Sequence, residues 1–143
     1  MVRPRYSLDT NVLPEPVRLE PDAAVVEKLR AHGGELATAS VVWHELALGV
    51  RLLRPSRKRS AIERYLDEVV SAALPILPYD AAAAEWHAEQ RARPTKGGLT
   101  PSFADGQIAA VAAVHDLTLV TNAVRDFEHD PDLRVERWHR VST

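Results

Sequence analysis

Short apolar segments alternate along the chain with stretches of helical period, and this alternation restricts the possible folds more than any other feature. The pattern predicts helices at residues 22–32, 40–53, 60–73, 81–93 and 103–115, and strands at residues 6–9, 35–38, 75–79, 118–121 and 133–136, the last at a sheet edge. Strands that alternate with helices favour a mainly parallel sheet covered on both faces. We therefore expect a three-layer α/β/α sandwich.

Individual residues predict where the helices begin and end. Ser40 and Asp80 have the side chains of N-caps, and Pro55 ends the helix that Ser40 would begin. Residues 94–101 are rich in proline and glycine and are expected to form a mobile loop.

The size and composition of the chain are those of one globular domain. Its 143 residues suffice for a hydrophobic core, and we treat residues 1–143 as a single domain. The chain has no cysteine, which excludes thiolate chemistry and fits a reducing compartment. Its apolar runs are shorter than the roughly 20 residues of a membrane span, so a cytoplasmic protein is expected.

Four carboxylates lie beside or within apolar runs, where a charge is costly to bury. They are Asp9, Glu45, Asp105 and Asp126. No lysine lies in these segments and Arg125 is the only arginine, so the charges need another partner. A divalent cation shared by the four would provide it.

Each acid also has a structural explanation. Asp9 can cap the segment that follows it, Asp105 lies three residues after Ser102 in the spacing of a capping box, and Asp126 can be a turn residue. Glu45 is the hardest to explain in this way, because Val41, Leu48 and Leu52 share its predicted helical face. These alternatives stay open on the residues alone.

A cationic stretch lies on an otherwise acidic chain whose net charge is −2. Between residues 51 and 64, one acid, Glu63, faces six cations: Arg51, Arg54, Arg57, Lys58, Arg59 and Arg64. Such a stretch can bind phosphates, and it can equally be a solvated surface. The six histidines have no metal-ligand spacing, and we expect most of them at the surface.

Four segments of the chain, taken in order, resemble the PIN-domain ribonucleases, and above all the VapC and FitB toxins of bacterial toxin–antitoxin modules. The first is Leu-Asp-Thr-Asn-Val-Leu at residues 8–13, and the second is His-Glu-Leu at 44–46 with Gly49. The third is Ala-Asp-Gly-Gln-Ile-Ala-Ala at 104–110, and the fourth is Leu-Thr-Leu-Val-Thr at 117–121 ahead of Asp126. The resemblance covers nearly the whole chain.

The resemblance implies a PIN-like fold, Mg²⁺- or Mn²⁺-dependent endoribonuclease activity, homodimers, and a cognate antitoxin that blocks the site. It makes Asp9, Glu45 and Asp105 metal ligands, with Asp126 the fourth.

Around these acids, the resemblance gives Asn11 and Thr121 supporting hydrogen bonds, and Arg51, Arg54 and Lys58 would flank the RNA. Three residues depart from the family pattern: Ala123 replaces a common Asn or Asp, Val42 a frequent threonine and Pro14 a frequent serine.

Two other classes of function are compatible with parts of the sequence. An aspartate-based phosphatase would also have its nucleophile after the first strand, but Asn11 stands where that motif has a second aspartate. A non-catalytic RNA- or protein-binding module would use the acids as helix caps. The products separate the three classes. A phosphatase releases free phosphate from a monoester, a nuclease cuts RNA, and a binding module does neither.

Overall fold

A parallel five-stranded sheet forms the centre of the protein. The structure, a computed structural model, describes residues 3–93 and 101–141. The strands are β1 (Tyr6–Leu8), β2 (Leu36–Ala39), β3 (Ile76–Leu77), β4 (Thr118–Val120) and β5 (Val135–Glu136). Their order is β3-β2-β1-β4-β5, and every neighbouring pair is parallel. The predicted parallel α/β architecture is confirmed, and β5 lies at the edge as expected.

Burial of the central strands shows that both faces of the sheet are covered. Every residue of β1 and β2 is buried. Because successive side chains of a strand point to opposite faces, packing must exist on each side.

The helices that connect the strands follow the predicted order. They are α1 (Ala23–Ala31), α2 (Ser40–Arg51), α3 (Arg57–Tyr65), α4 (Ser71–Ala73), α5 (Ala81–Ala92) and α6 (Phe103–Val114). A π-helical turn, Leu66–Val70, joins α3 to α4, and short 3-10 turns occupy Glu15–Val17, Gly33–Glu35 and Val124–Asp126. Within the described ranges, no helix is long and apolar enough to cross a membrane.

Two predicted helix starts were wrong. Ala39 occupies the N-cap of α2 and makes no side-chain bond, so Ser40 is the first helical residue. The third helix begins at Arg57 instead of residue 60, because the Ser56 hydroxyl accepts the Arg59 N–H at 3.1 Å. The Asp80 cap of α5 is confirmed by its bond from the Ala83 N–H at 3.0 Å. Residues 94–100 of the predicted loop lie outside the described residues.

The strand order fixes where a ligand site can form. From β1 the chain continues to β2, which pairs with one edge of β1, whereas β4 pairs with the other edge of β1. Such a reversal opens a crevice at the carboxyl ends of the two strands. Asp9 follows β1 and Thr121 follows β4, so both lie at this crevice.

Two of the six histidines, His87 and His139, are exceptions to the expectation that most lie at the surface. His87 is 3% exposed, and a 2.9 Å hydrogen bond joins its Nδ1 to the Tyr79 hydroxyl. Its ring packs so closely on Gly106 that a Cβ there would lie 2.1 Å from Nε2. This contact brings α5 against α6. His139 is also largely buried, with its Nε2 3.3 Å from Glu15 Oε2.

Asp22 connects the start of α1 to the C-terminal segment. Its Oδ1 accepts the N–H groups of Ala24 and Val25 at 2.9 and 3.3 Å, and its Oδ2 accepts that of Arg140 at 2.9 Å. The Arg140 N–H is the main cause of the lowered pKa of Asp22, and the capped helix N–H groups lower it further.

We expect Asp22→Ala to lower the free energy of unfolding by about 1 to 2 kcal/mol, because a cap and a tertiary hydrogen bond are lost together. Asp80→Ala, which removes a cap with one bond, is the matched control and should cost less. Because the folded-state pKa of Asp22 is lowered, its contribution is present above the ordinary carboxyl pKa and fades as pH falls below it. Urea unfolding at pH 7 and pH 3 measures both effects. If Asp22→Ala lowers the free energy of unfolding by as much at pH 3 as at pH 7, the assignment is contradicted.

Candidate active site

Asp9 is the most constrained acid of the candidate site. Its backbone N–H donates to the Val120 carbonyl at 3.0 Å and so extends the pairing of β1 with β4. Its Oδ1 accepts the Thr10 N–H at 2.7 Å, and its Oδ2 accepts the Thr121 hydroxyl at 2.8 Å. The residue is only 6% exposed. Both carboxylate oxygens are therefore fixed in direction.

The environment of Asp9 disfavours its charge. Burial raises the pKa of the Asp9 carboxyl above its ordinary value, and the nearby charge of Glu45 raises it further. The hydrogen bonds from Thr121 and Thr10 act in the opposite direction. A cation at this position would remove the cost of keeping Asp9 ionised.

Glu45 reaches the same crevice from the second turn of α2. Its Oε2 accepts the hydroxyl of Thr10 at 2.5 Å, and Thr10 is the residue that follows Asp9. The sequence analysis predicted that Glu45 is buried because it shares a helical face with apolar residues. That reason was wrong, since Leu48 and Leu52 on this face are 47% and 77% exposed. The half-buried Glu45 is held by Thr10 instead of by an apolar stripe.

Asp105 lies in the first turn of α6 and is half-buried. Its N–H donates to Ser102 Oγ at 3.1 Å, as the capping spacing predicted. Burial raises the pKa of the Asp105 carboxyl, a hydrogen bond with Ser102 opposes this, and the charges of Asp9 and Asp126 raise it further. Asp105 is thus a helix-start residue and a neighbour of two other candidate acids.

Asp126 ends a 3-10 turn beyond β4 and is exposed. Its charge raises the pKa of the Asp105 carboxyl, so Asp126 is a neighbour of Asp105. Ala123, which departs from the family pattern, donates its backbone N–H to Thr121 Oγ1 at 3.0 Å. The loop after β4 therefore supports Thr121 even without a side-chain ligand at this position.

Asn11 connects the loops that follow β1 and β4. Its Nδ2 donates to Thr121 Oγ1 at 3.3 Å, and its Oδ1 accepts the Asn122 N–H at 3.0 Å. The sequence argument did not identify Thr10, although a hydroxyl directly after Asp9 was a visible signal. Thr10 is the residue that touches both Asp9 and Glu45.

The donor set of the site suits a hard divalent cation. Among the described residues, none of the four acids forms an ion pair with a lysine, arginine or histidine. In the same part of the chain, no three acidic or histidine side chains lie close enough to form a ready-made cage. Mg²⁺ does not need one, because it binds through one or two carboxylates and keeps several waters. Carboxylate oxygens with no cationic partner, two of them on acids whose pKa is raised (Asp9 and Asp105), fit such an ion.

The cationic stretch lies away from the acids. Arg51 is six residues beyond Glu45 on α2, which is about 9 Å along the helix axis. Arg54, Arg57 and Lys58 are exposed. Arg59 has a structural role, with Nε 2.6 Å from Glu63 Oε1 and Nη1 3.0 Å from the Leu53 carbonyl.

Comparison with known proteins identifies relatives over almost the whole chain. The family model described as "PIN domain" matches residues 6–129. A protein of Shigella flexneri named tRNA(fMet)-specific endonuclease VapC is 32% identical over 135 residues, covering 94% of this chain and 98% of the relative. Toxin FitB of Neisseria gonorrhoeae is 33% identical over 138 residues, with coverage of 92% and 97%.

A solved structure shares the fold. The crystal structure of DNA-bound VapBC from Salmonella typhimurium superposes with a TM-score of 0.80 at 27% identity, covering 96% of this chain and 99% of that one. Because the family model spans most of the chain and relatives above 30% identity cover nearly all of it, the chain belongs to the PIN-domain family, in the group of the VapC and FitB toxins.

Proposed function

We propose that the protein is a metal-dependent endoribonuclease toxin that a cognate antitoxin neutralises. The observation that carries this proposal is the convergence of acids at the switch point of the sheet. There, Asp9 is buried with both oxygens directed, and Glu45 is joined to it through Thr10. The names of the relatives, an endonuclease and a toxin, support the same function.

Asp9, Glu45 and Asp105 would hold Mg²⁺ or Mn²⁺, with Asp126 as a fourth, outer ligand. When bound, such an ion acidifies and orients the attacking water and offsets charge on the phosphate oxygens. The raised pKa values of Asp9 and Asp105 support this assignment, since both carboxylates have more to gain from a cation than from water.

The surrounding residues prepare the acids for this role. Thr121 and the Thr10 N–H direct the two oxygens of Asp9, so little reorganisation is needed on binding. The Thr10 hydroxyl holds Glu45 at the crevice, and Asn11 keeps the loops after β1 and β4 together. Attack by water on a phosphodiester would leave a 5′-phosphate and a 3′-hydroxyl.

The RNA would extend from the acids towards the exposed cations Arg51, Arg54 and Lys58. The distance along α2 is compatible with contacts to phosphates a few nucleotides from the cut bond. Single-stranded or looped RNA suits an open crevice better than a duplex does. We propose that this activity is cytoplasmic.

The antitoxin and a second protomer are the proposed protein partners. Leu48 and Leu52 leave an exposed apolar face on α2 directly beyond Glu45. An antitoxin segment that covers this face would bury the leucines and block the crevice at the same time. The homodimer follows from the family resemblance alone.

The alternative functions have less support. A phosphatase motif needs a second aspartate two residues after the first, and that position holds Asn11, whose amide donates to Thr121 and accepts the Asn122 N–H. A binding module has no need for the bond that holds Glu45 beside Asp9.

We expect Asp9→Asn, Glu45→Gln and Asp105→Asn each to abolish RNA cleavage, because each removes a ligand. Purified protein is incubated with total RNA and with a tRNA pool, in Mg²⁺, Mn²⁺ or EDTA, and the product ends are analysed. Cleavage that survives both EDTA and Asp9→Asn would refute the metal-nuclease proposal.

The same variants should remain folded. In EDTA, Asp105→Asn should be more stable than the wild type by several tenths of a kcal/mol, because it relieves repulsion from Asp9 and Asp126. Asp9→Asn should gain less, since an amide cannot accept both of the hydrogen bonds that Asp9 accepts. Sharp destabilisation of all three variants would favour a purely structural role.

Asp126→Asn should have a graded effect, with cleavage slowed about 10- to 100-fold, as for supporting positions around metals. A higher Mn²⁺ concentration should restore part of the rate, because a missing outer charge lowers affinity first. Asn122→Ala should do less, and Glu128→Gln is the control for a neighbouring exposed acid. Wild-type activity of Asp126→Asn at limiting metal would make Asp126 a turn residue.

Arg54→Ser, Arg57→Ser and Lys58→Ser should each weaken RNA binding and reduce the slope of log K against log salt by about 0.7 per lost phosphate contact. Arg59 is left intact because its substitution would damage the α2–α3 connection. Lys28→Ser, an exposed cation on α1, is the matched control. Filter binding in EDTA between low and high salt gives the slopes. Identical slopes for all variants would remove these residues from the RNA interface.

A further inference from the structure

Tyr65, at the end of α3, contacts the loop that begins at Asp9. Its hydroxyl donates to the Leu13 carbonyl at 2.6 Å, across 52 residues of sequence. Burial raises the pKa of Tyr65 to about 12, so the hydroxyl stays protonated and able to donate at any physiological pH. Neither the sequence motifs nor the proposed chemistry includes this residue.

The loop from Asp9 to Leu13 is a single hydrogen-bonded turn. The Asp9 carbonyl accepts the N–H groups of Val12 and Leu13 at 3.0 and 3.3 Å. Leu13 is 2% exposed, and among the described residues its carbonyl has Tyr65 as its only hydrogen-bond partner. One end of the turn is fixed to β4 through the Asp9 N–H, and the other end is fixed by Tyr65.

The segment that follows Tyr65 is anchored in the core. The π turn Leu66–Val70 starts directly after it, with the Ser71 N–H donating to the Leu66 carbonyl. Leu66 and Val70 are both buried in the core. Wide turns of this kind inside α-helices are frequent near functional sites.

We propose that Tyr65 is a positioning residue for the metal site, acting through the Leu13 carbonyl on the turn that carries Asp9, Thr10 and Asn11. This inference rests on the proposed metal-dependent function. Thr10 and Asn11 lie between the two fixed ends of the turn, and their side chains hold Glu45 and Thr121. Displacement of the turn would therefore disturb Asp9 and Glu45 together.

Loss of the Tyr65 hydroxyl leaves a buried carbonyl without a donor. The turn then moves to recover a hydrogen bond from water or another group, because an orphan buried acceptor is costly. The expected consequence is weaker metal binding with unchanged RNA affinity, since no RNA contact is altered.

Tyr65→Phe tests the proposal, with Asp80→Ala as a variant that is destabilised by loss of a hydrogen bond in which no residue of the turn takes part. Calorimetric titration of the full chain with Mn²⁺ should show about 10-fold weaker binding for Tyr65→Phe, the low end of the range for residues that support metal ligands. Asp80→Ala should bind Mn²⁺ as the wild type does. Cleavage by Tyr65→Phe should need more Mn²⁺ for half-maximal rate while the KM for RNA is unchanged.

Hydrogen exchange in the metal-free protein supplies a readout that is independent of the proposed activity. Peptides that cover residues 9–17 should exchange faster in Tyr65→Phe than in the wild type or Asp80→Ala, while peptides from β2 should not differ. Unchanged exchange, or unchanged Mn²⁺ affinity beside a wild type that binds Mn²⁺, overturns the role of Tyr65. A wild type that does not bind Mn²⁺, together with faster exchange in Tyr65→Phe, overturns the metal proposal and leaves Tyr65 as the anchor of the turn. If Tyr65→Phe is too unstable, sodium sulfate strengthens the folded state, and all variants are then compared at the same sulfate concentration.

Discussion

The hydrogen bond from the Thr121 hydroxyl to the Asp9 carboxylate is the interaction on which the rest of the site depends. It joins the first residues beyond two neighbouring strands, and it ties an otherwise disfavoured buried charge to the sheet. Thr121 also accepts hydrogen bonds from Asn11 and Ala123, so one hydroxyl organises both loops of the crevice. The remaining acids are arranged around a carboxylate whose direction is already set.

The site is electrostatically unfavourable as it stands. Asp9, Glu45, Asp105 and Asp126 act on one another without a cationic side chain among the described residues to balance them. The fold tolerates this because sheet pairing and core packing hold the acids in place. A cation that binds such a cluster stabilises the folded state and offsets the repulsion between the acids. A cluster that destabilises the protein without a ligand is therefore a sign of a functional site.

Much of the fold could be predicted from the sequence because its signals are local. Apolar runs and helical periods determined the order of the elements, and the position of Asp9 after a strand followed from them. The contacts that shape the site are not local. Thr10 meets Glu45 across 35 residues and Tyr65 meets Leu13 across 52, so no pattern of neighbouring residues indicates them. The burial of Glu45 was argued from a helical face on which Leu48 and Leu52 are in fact exposed.

The strand order has a consequence for the protein during its synthesis. Asp9 and Thr121 are separated by 112 residues, and β1 obtains its second neighbour only when β4 has formed. A ribosome delivers the N-terminal segments first, so Asp9 emerges well before Thr121, whose hydroxyl orients its Oδ2. The growing polypeptide thus carries the acids without an assembled crevice. A nuclease built in this way can complete its site only after nearly the whole chain has left the ribosome.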